Sequence, residues 1–75
     1  MRPLNTIAKE IKSDWAKINY GAVPYLQAMQ GLSSINDTYY YDSGRTIVLY
    51  FLSNASTWKG DKAKAIKSEL KAMLK

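Results

Sequence analysis

The sequence predicts an all-α fold: a compact bundle of about four helices around a central apolar helix, with residues 1–75 forming a single helical domain. Three observations carry this. Apolar residues recur at helical spacing near both ends of the chain. The last stretch is dominated by Ala, Leu, Lys and Glu, all strong helix formers. The one strand-like run, Ile47-Val48-Leu49-Tyr50-Phe51-Leu52, has no second run to pair with, and an isolated strand is not stable.

The first helix is expected over Leu4 to Ile18. Leu4, Ile7, Ile11, Trp15 and Ile18 share one arc with Ala8. Asn5 or Thr6 is placed to cap the free amides of its first turn. Asn19-Tyr20-Gly21 should end it, with Gly21 available for a left-handed cap. The outer face mixes Lys9, Glu10, Lys12, Asp14 and Lys17, which reads as a solvated surface. A second helix follows, with Ala22, Tyr25, Leu26, Met29 and Leu32 on one stripe. Pro24 marks its start, because a proline in the first turn has no hydrogen bond to lose.

Gly31 to Asp42 is expected to be irregular, since Ser33, Ser34, Asn36, Asp37 and Thr38 favour turns. Asp42 or Ser43 is positioned to cap a third helix. Gly44, Val48, Phe51 and Ala55 then recur at helical spacing, with small residues at both ends permitting close contact. Ile47 to Leu52 is apolar on every side, so this helix is placed at the centre of the fold. Ser56 to Asp61 is a short connector. The fourth helix runs to the end, burying Ala63, Ile66, Leu70, Met73 and Leu74.

With 75 residues and neither cysteine nor histidine, the chain has no disulfide and no thiolate or imidazole for zinc. Its stability rests on apolar burial, helix packing or association. The absence of cysteine fits a reducing compartment. A hydrophobic fraction of 47% with dispersed charges does not fit disorder. The longest apolar run is far too short to cross a bilayer, and the N-terminus leads into an amphipathic pattern, not a signal-peptide core. The expected location is cytoplasmic, with no membrane partner.

Catalysis is not expected. Without histidine or cysteine the common triads and dyads cannot be assembled. Glu10 and Asp14 read as surface pairing partners. Asp37 and Asp42 flank the tyrosine-rich loop but lack the dense oxygen spacing of a calcium loop. The four glycines are too far apart for a phosphate-binding loop. No catalytic residue, cofactor or metal ligand is assigned.

Two features remain as candidate binding sites. The net charge of +5 is concentrated in one element: Lys59 to Lys75 contains six lysines and two acids, whereas Met1 to Trp58 contains five basic and four acidic residues. Lys64, Lys67, Lys71 and Lys75 would form a stripe about 16 Å long at a helical rise of about 1.5 Å per residue, enough to meet several phosphates. The helix carries no Arg, Asn or Gln for base edges, so contact would be non-specific. A lysine-rich solvated face complementing the helix dipole is the simpler account. The second feature is Tyr39-Tyr40-Tyr41, which cannot all point into one core and are suited to an interface.

Gly21 to Met29 (GAVPYLQAM) and Ile47 to Trp58, read with the helical Ile66-Lys67-Ser68-Glu69-Leu70 tail, resemble a group of short uncharacterised proteins of bacteriophages and prophage remnants. The resemblance covers nearly the whole chain. It implies a cytoplasmic, phage-associated setting and supplies no activity. The functional expectation is a non-catalytic protein-interaction module whose partner is another protein or a second copy. The alternative is a non-specific nucleic-acid-binding accessory protein using the lysine stripe.

Overall fold

The computed structural model describes residues 2–74. Among them are four helices and one short hairpin, in the order α1 (Leu4–Asp14), α2 (Val23–Gln30), β1 (Thr38–Tyr39), β2 (Asp42–Ser43), α3 (Gly44–Ser53) and α4 (Asp61–Met73). The fold is mostly helical, as the periodicities imply. It is not purely so, because the segment expected to be irregular pairs with itself: Thr38 lies opposite Ser43 and Tyr39 opposite Asp42 in an antiparallel ladder.

Helix α1 begins at Leu4, ahead of the expected caps Asn5 and Thr6, and ends sooner than its periodicity suggests. Pro3 is the N-cap and makes no side-chain capping bond. The first amides are instead satisfied by the chain after α2: Leu4 donates to the Ser33 carbonyl (3.0 Å) and Asn5 to that of Leu32 (2.9 Å). Neither Asn5 nor Thr6 is the cap. The helix stops at Asp14, because Trp15 turns to extended geometry (ψ 96°) while its N–H still bonds Ile11. The chain then crosses to the end of α3, where Asn19 Nδ2 donates to the Asn54 carbonyl at 3.1 Å. Gly21 does not take the left-handed cap conformation; it follows the Asn19 turn, its amide bonded to Asn19 Oδ1. Ile18, outside the helix, is only partly buried.

Pro24 lies in the first turn of α2, as expected. Ser43 caps α3, its hydroxyl accepting from the Thr46 amide at 3.2 Å. Gly44 is required there: a Cβ would fall 2.7 Å from the Ser34 carbonyl oxygen and 2.8 Å from Ile35 Cα. That close approach lets Gly44 donate to Asp37 and Arg45 to Ile35, stitching the loop to the helix. Helix α3 is not sealed on all sides. Ile47, Val48 and Phe51 are buried, Leu52 is partly so, and Leu49 and Tyr50 stand half in solvent. The expectation of a wholly enclosed central helix is corrected accordingly. Helix α1 occupies the middle position as much as α3 does, packing against both α2 and α4, while α2 packs on α3.

The core is joined by three aromatic rings. Trp15 stacks on Trp58 (5.7 Å between centroids, 15° between planes), and both meet Phe51 edge-on at 6.2 and 6.5 Å. Trp58 belongs to the connector before α4, yet it is 2% exposed. Its indole N–H donates to Asp14 Oδ2 at 2.9 Å. A buried indole needs such a partner, and edge-to-face or offset rings contribute beyond their buried area.

Phe51→Ala and Trp58→Ala are each expected to cost on the order of 3–5 kcal/mol, and Asp14→Ala about 1–2 kcal/mol by leaving the indole N–H unpaired. Leu49→Ala should stay within about 0.5 kcal/mol. Urea denaturation of the four variants checks the order. A Trp58→Ala variant as stable as Leu49→Ala would show that the connector is not part of the core.

Candidate functional site

Charge and exposed apolar surface are divided between different parts of the chain. Residues 18–58 contain only three charged side chains, Asp37, Asp42 and Arg45. The exposed large apolar residues Tyr20, Tyr40, Tyr41, Leu49 and Tyr50 all fall in this stretch. Isolated exposed apolar residues are ordinary, so what matters is which of these five lie together.

The tyrosine triplet builds the tip of the hairpin. Tyr39 packs against the core, with its ring beside Gly31. Tyr40 and Tyr41 form the two-residue turn and are 82% and 102% exposed. Tyr40 adopts φ 57°, a left-handed conformation that is uncommon for a bulky residue. Its ring meets that of Tyr39 edge-on at 4.7 Å. Of the three candidate interface residues, Tyr40 and Tyr41 therefore project outward, and Tyr39 anchors them.

Sequence reasoning missed the remainder of this face. Tyr50 on α3 contacts Tyr25 on α2, with centroids 5.5 Å apart, so the two helices present one joined aromatic surface. Leu49 lies beside it, half exposed. A signal was present: on a helical wheel Leu49 and Tyr50 fall opposite Gly44 and Phe51. The apolar run alone does not mark that side, but the spacing of Gly44, Val48, Phe51 and Ala55 does.

The lysine stripe does not stand as four equivalent charges. Lys64 and Lys71 are exposed, and Lys75 lies outside the described residues. Lys67 is turned inward over the connector: its Nζ donates to the Trp58 carbonyl at 2.6 Å and sits 5.8 Å from the centre of the indole ring. Desolvation lowers its affinity for a proton, and the neighbouring charges of Lys71 and Lys59 lower it further. Lys67 thus helps to hold Trp58, a cation–π contact being effective within about 6 Å. Trp58, Lys59, Gly60, Lys64 and Lys67 border a shallow depression of about 270 Å³. A broader one of about 570 Å³ lies between Lys9, Lys12, Ser13 and Gln30.

Four of the six carboxylates are used within the fold. Arg2 forks onto both oxygens of Glu69 (3.1 and 2.6 Å) and reaches Glu10 at 2.6 Å, tying the N-terminus to α4 and α1. Lys62 approaches Glu10 from α4. Asp14 holds Trp58, and Asp37 accepts the amides of Ser33 and Ser34. Glu10 and Asp14 are therefore not paired with lysines of their own helix, and Asp37 is a turn-forming residue with its Oδ2 occupied. Among the described residues no three acidic groups converge as a metal site would require, and no helix is long and apolar enough to cross a membrane.

The chain matches no protein family, no curated protein and no solved structure.

Hydrogen bonds from Arg2 hold the Glu69 carboxyl below its ordinary value of 4.5, against the opposing effect of desolvation. The bridge is present at neutral pH and is lost as pH falls through that depressed value, because the unfolded chain takes up the proton first. Glu69→Gln should lower stability by about 1 kcal/mol at neutral pH, as expected for a partly exposed pair. Unfolding curves of wild type and variant should converge in strong acid. A constant gap across the acid range would mean that the bridge contributes nothing through its charge.

Proposed function

We propose that this chain is a non-catalytic protein-interaction module that meets its partner through the aromatic surface of α2, the hairpin and α3. The observation that carries this is the contact of Tyr25 with the half-exposed Tyr50, beside the half-exposed Leu49, flanked in sequence by a hairpin tip of two exposed tyrosines, in a stretch (residues 18–58) that contains no lysine. Tyrosine supplies large, rigid contact area with a polar end, and it is enriched where proteins meet. The lack of histidine and cysteine, together with the internal use of Glu10, Glu69, Asp14 and Asp37, supports a role without chemistry. A cytoplasmic, phage-associated setting belongs to the same reading through the resemblance noted above.

Nucleic-acid contact through Lys64, Lys67, Lys71 and Lys75 is the less supported alternative, because Lys67 is engaged with Trp58. A four-phosphate contact would give a log–log salt slope of roughly −3.6.

A photo-crosslinking residue placed at Tyr50, or at Lys12 as a control, distinguishes these readings in the cells that make the protein. Position 50 is expected to form adducts with protein that survive nuclease treatment, and position 12 is expected to form far fewer. Equal labelling from both positions, or retention abolished by nuclease, would overturn the proposal.

A further inference from the structure

A third depression, of about 310 Å³, lies where the start of α1, the loop after α2, the start of α3 and the end of α4 meet. Its lining differs in kind from that of the two depressions bordered by lysines. Leu4, Ile35 and Met73 supply an apolar wall. Ser33, Ser34 and Asn36 add hydroxyls and a carboxamide, and the arginines at positions 2 and 45 complete the lining. Among the described residues that form it there is no carboxylate. An apolar hollow with a few converging polar groups is the usual form of a small-molecule site, and such sites begin at roughly 300 Å³.

The walls are held from both sides. Leu4 donates its amide to the Ser33 carbonyl, and Arg45 donates its amide to that of Ile35 at 3.1 Å. Asp37 gathers the amides of Ser33 and Ser34. The loop is thus fastened to α1, to α3 and to itself before a ligand arrives, which keeps the ordering cost of binding low. The two arginines differ. Arg2 is neutralised by Glu10 and Glu69, which occupy its Nε and both terminal nitrogens. Arg45 is exposed and, among the described residues, has no carboxylate partner. Its Nη1 donates to the Leu74 carbonyl at the end of α4, which fixes the guanidinium without cancelling its charge. A guanidinium has further N–H groups in a planar fork that matches a carboxylate or a phosphate.

We propose that this depression binds a small amphipathic oxyanion, a carboxylate or phosphate monoester on a short apolar chain, with Arg45 as the contact to the anion. Leu4, Ile35 and Met73 take the hydrocarbon part. The Ser34 hydroxyl accepts from the Asn36 amide at 3.0 Å and keeps its own O–H to donate to the bound oxygens, as Ser33 does. One uncancelled charge in a hollow of this size takes one anionic group, and the apolar wall favours a ligand with a hydrocarbon body over a bare ion. None of these residues belongs to the aromatic surface of Tyr25, Leu49 and Tyr50, so the site is independent of the protein-interaction reading.

Solution NMR of the full chain, read at the Met73 methyl and the Arg45 Nε–H, tests this with hexanoate, hexyl phosphate, acetate and hexanol as probes. Hexanoate and hexyl phosphate are expected to give saturable shifts at both positions, with dissociation constants on the order of 1 mM for ligands so small. The tighter of the two identifies the head group. Acetate lacks the body and hexanol the charge, and each should bind at least about tenfold more weakly. Arg45→Gln should weaken hexanoate at least about tenfold, and Arg45→Lys, which keeps the charge but loses the fork, by a smaller factor. Ile35→Ser should weaken hexanoate and leave acetate unchanged, while Lys12→Gln should alter neither. Thermal melts confirm that each variant is folded, and added hexanoate should raise the melting temperature of wild type but not of Arg45→Gln. If Arg45→Gln does not fold, Arg45→Lys and Ile35→Ser decide the matter by the same readout. No saturation by any probe at about 50 mM would overturn the proposal. So would acetate or hexanol matching hexanoate, shifts centred on the lysines of α1 or α4, or undiminished affinity in the folded variants.

Discussion

The structure depends on the contact of Trp15, Phe51 and Trp58. These rings come from the end of α1, the last turn of α3 and the connector before α4, so a single cluster fixes three separate segments. It accounts for where α1 stops: Trp15 leaves the helix in extended geometry and still buries its indole. It also pins the passage from α3 to α4, because Trp58 is stacked on one ring, bonded to Asp14 and covered by Lys67. A chain of this size without disulfide or histidine has few other means of holding a connector in place.

Anchoring the fold in this way determines what is left at the surface. Carboxylates at Glu10, Glu69, Asp14 and Asp37 are consumed by contacts within the chain. Lys67 is consumed likewise, which breaks the regularity of the lysine flank on α4. Buried rings at Phe51 and Trp58 turn the opposite side of α3 outward, exposing Leu49 and Tyr50. The aromatic surface and the altered lysine flank are thus two consequences of one packing arrangement.

Much of this was legible from the residues, and the exceptions have physical causes. Pro24, Ser43 and the spacing of Ala63, Ile66, Leu70 and Met73 act locally, so α2 and α3 begin as expected and α4 buries the expected face, while α3 leaves Leu49 and Tyr50 outside. Trp15 lies on the same arc as Ile11, and periodicity does not separate a residue that continues a helix from one that leaves it and remains buried. The hairpin lacks the Asn-Gly or Asp-Gly turn that normally announces one, relying instead on Tyr40 at φ 57°. Trp58 looked like part of a linker because its partners, Asp14 and Trp15, are distant in sequence. At the candidate site, the tyrosine triplet was recognised from composition. Its continuation through Tyr25, Leu49 and Tyr50 appears only once α2 and α3 are side by side.

The most direct test of the central claim, that the aromatic surface of Tyr25, Leu49 and Tyr50 is the contact surface, is an amide chemical-shift map of the chain before and after addition of the protein that a crosslinking residue at position 50 captures. The expected shifts are confined to residues 38–50 and to Tyr25, with α1 and the lysine flank of α4 unchanged. Shifts centred on Lys59 to Lys71, with the hairpin and α3 silent, would contradict the account.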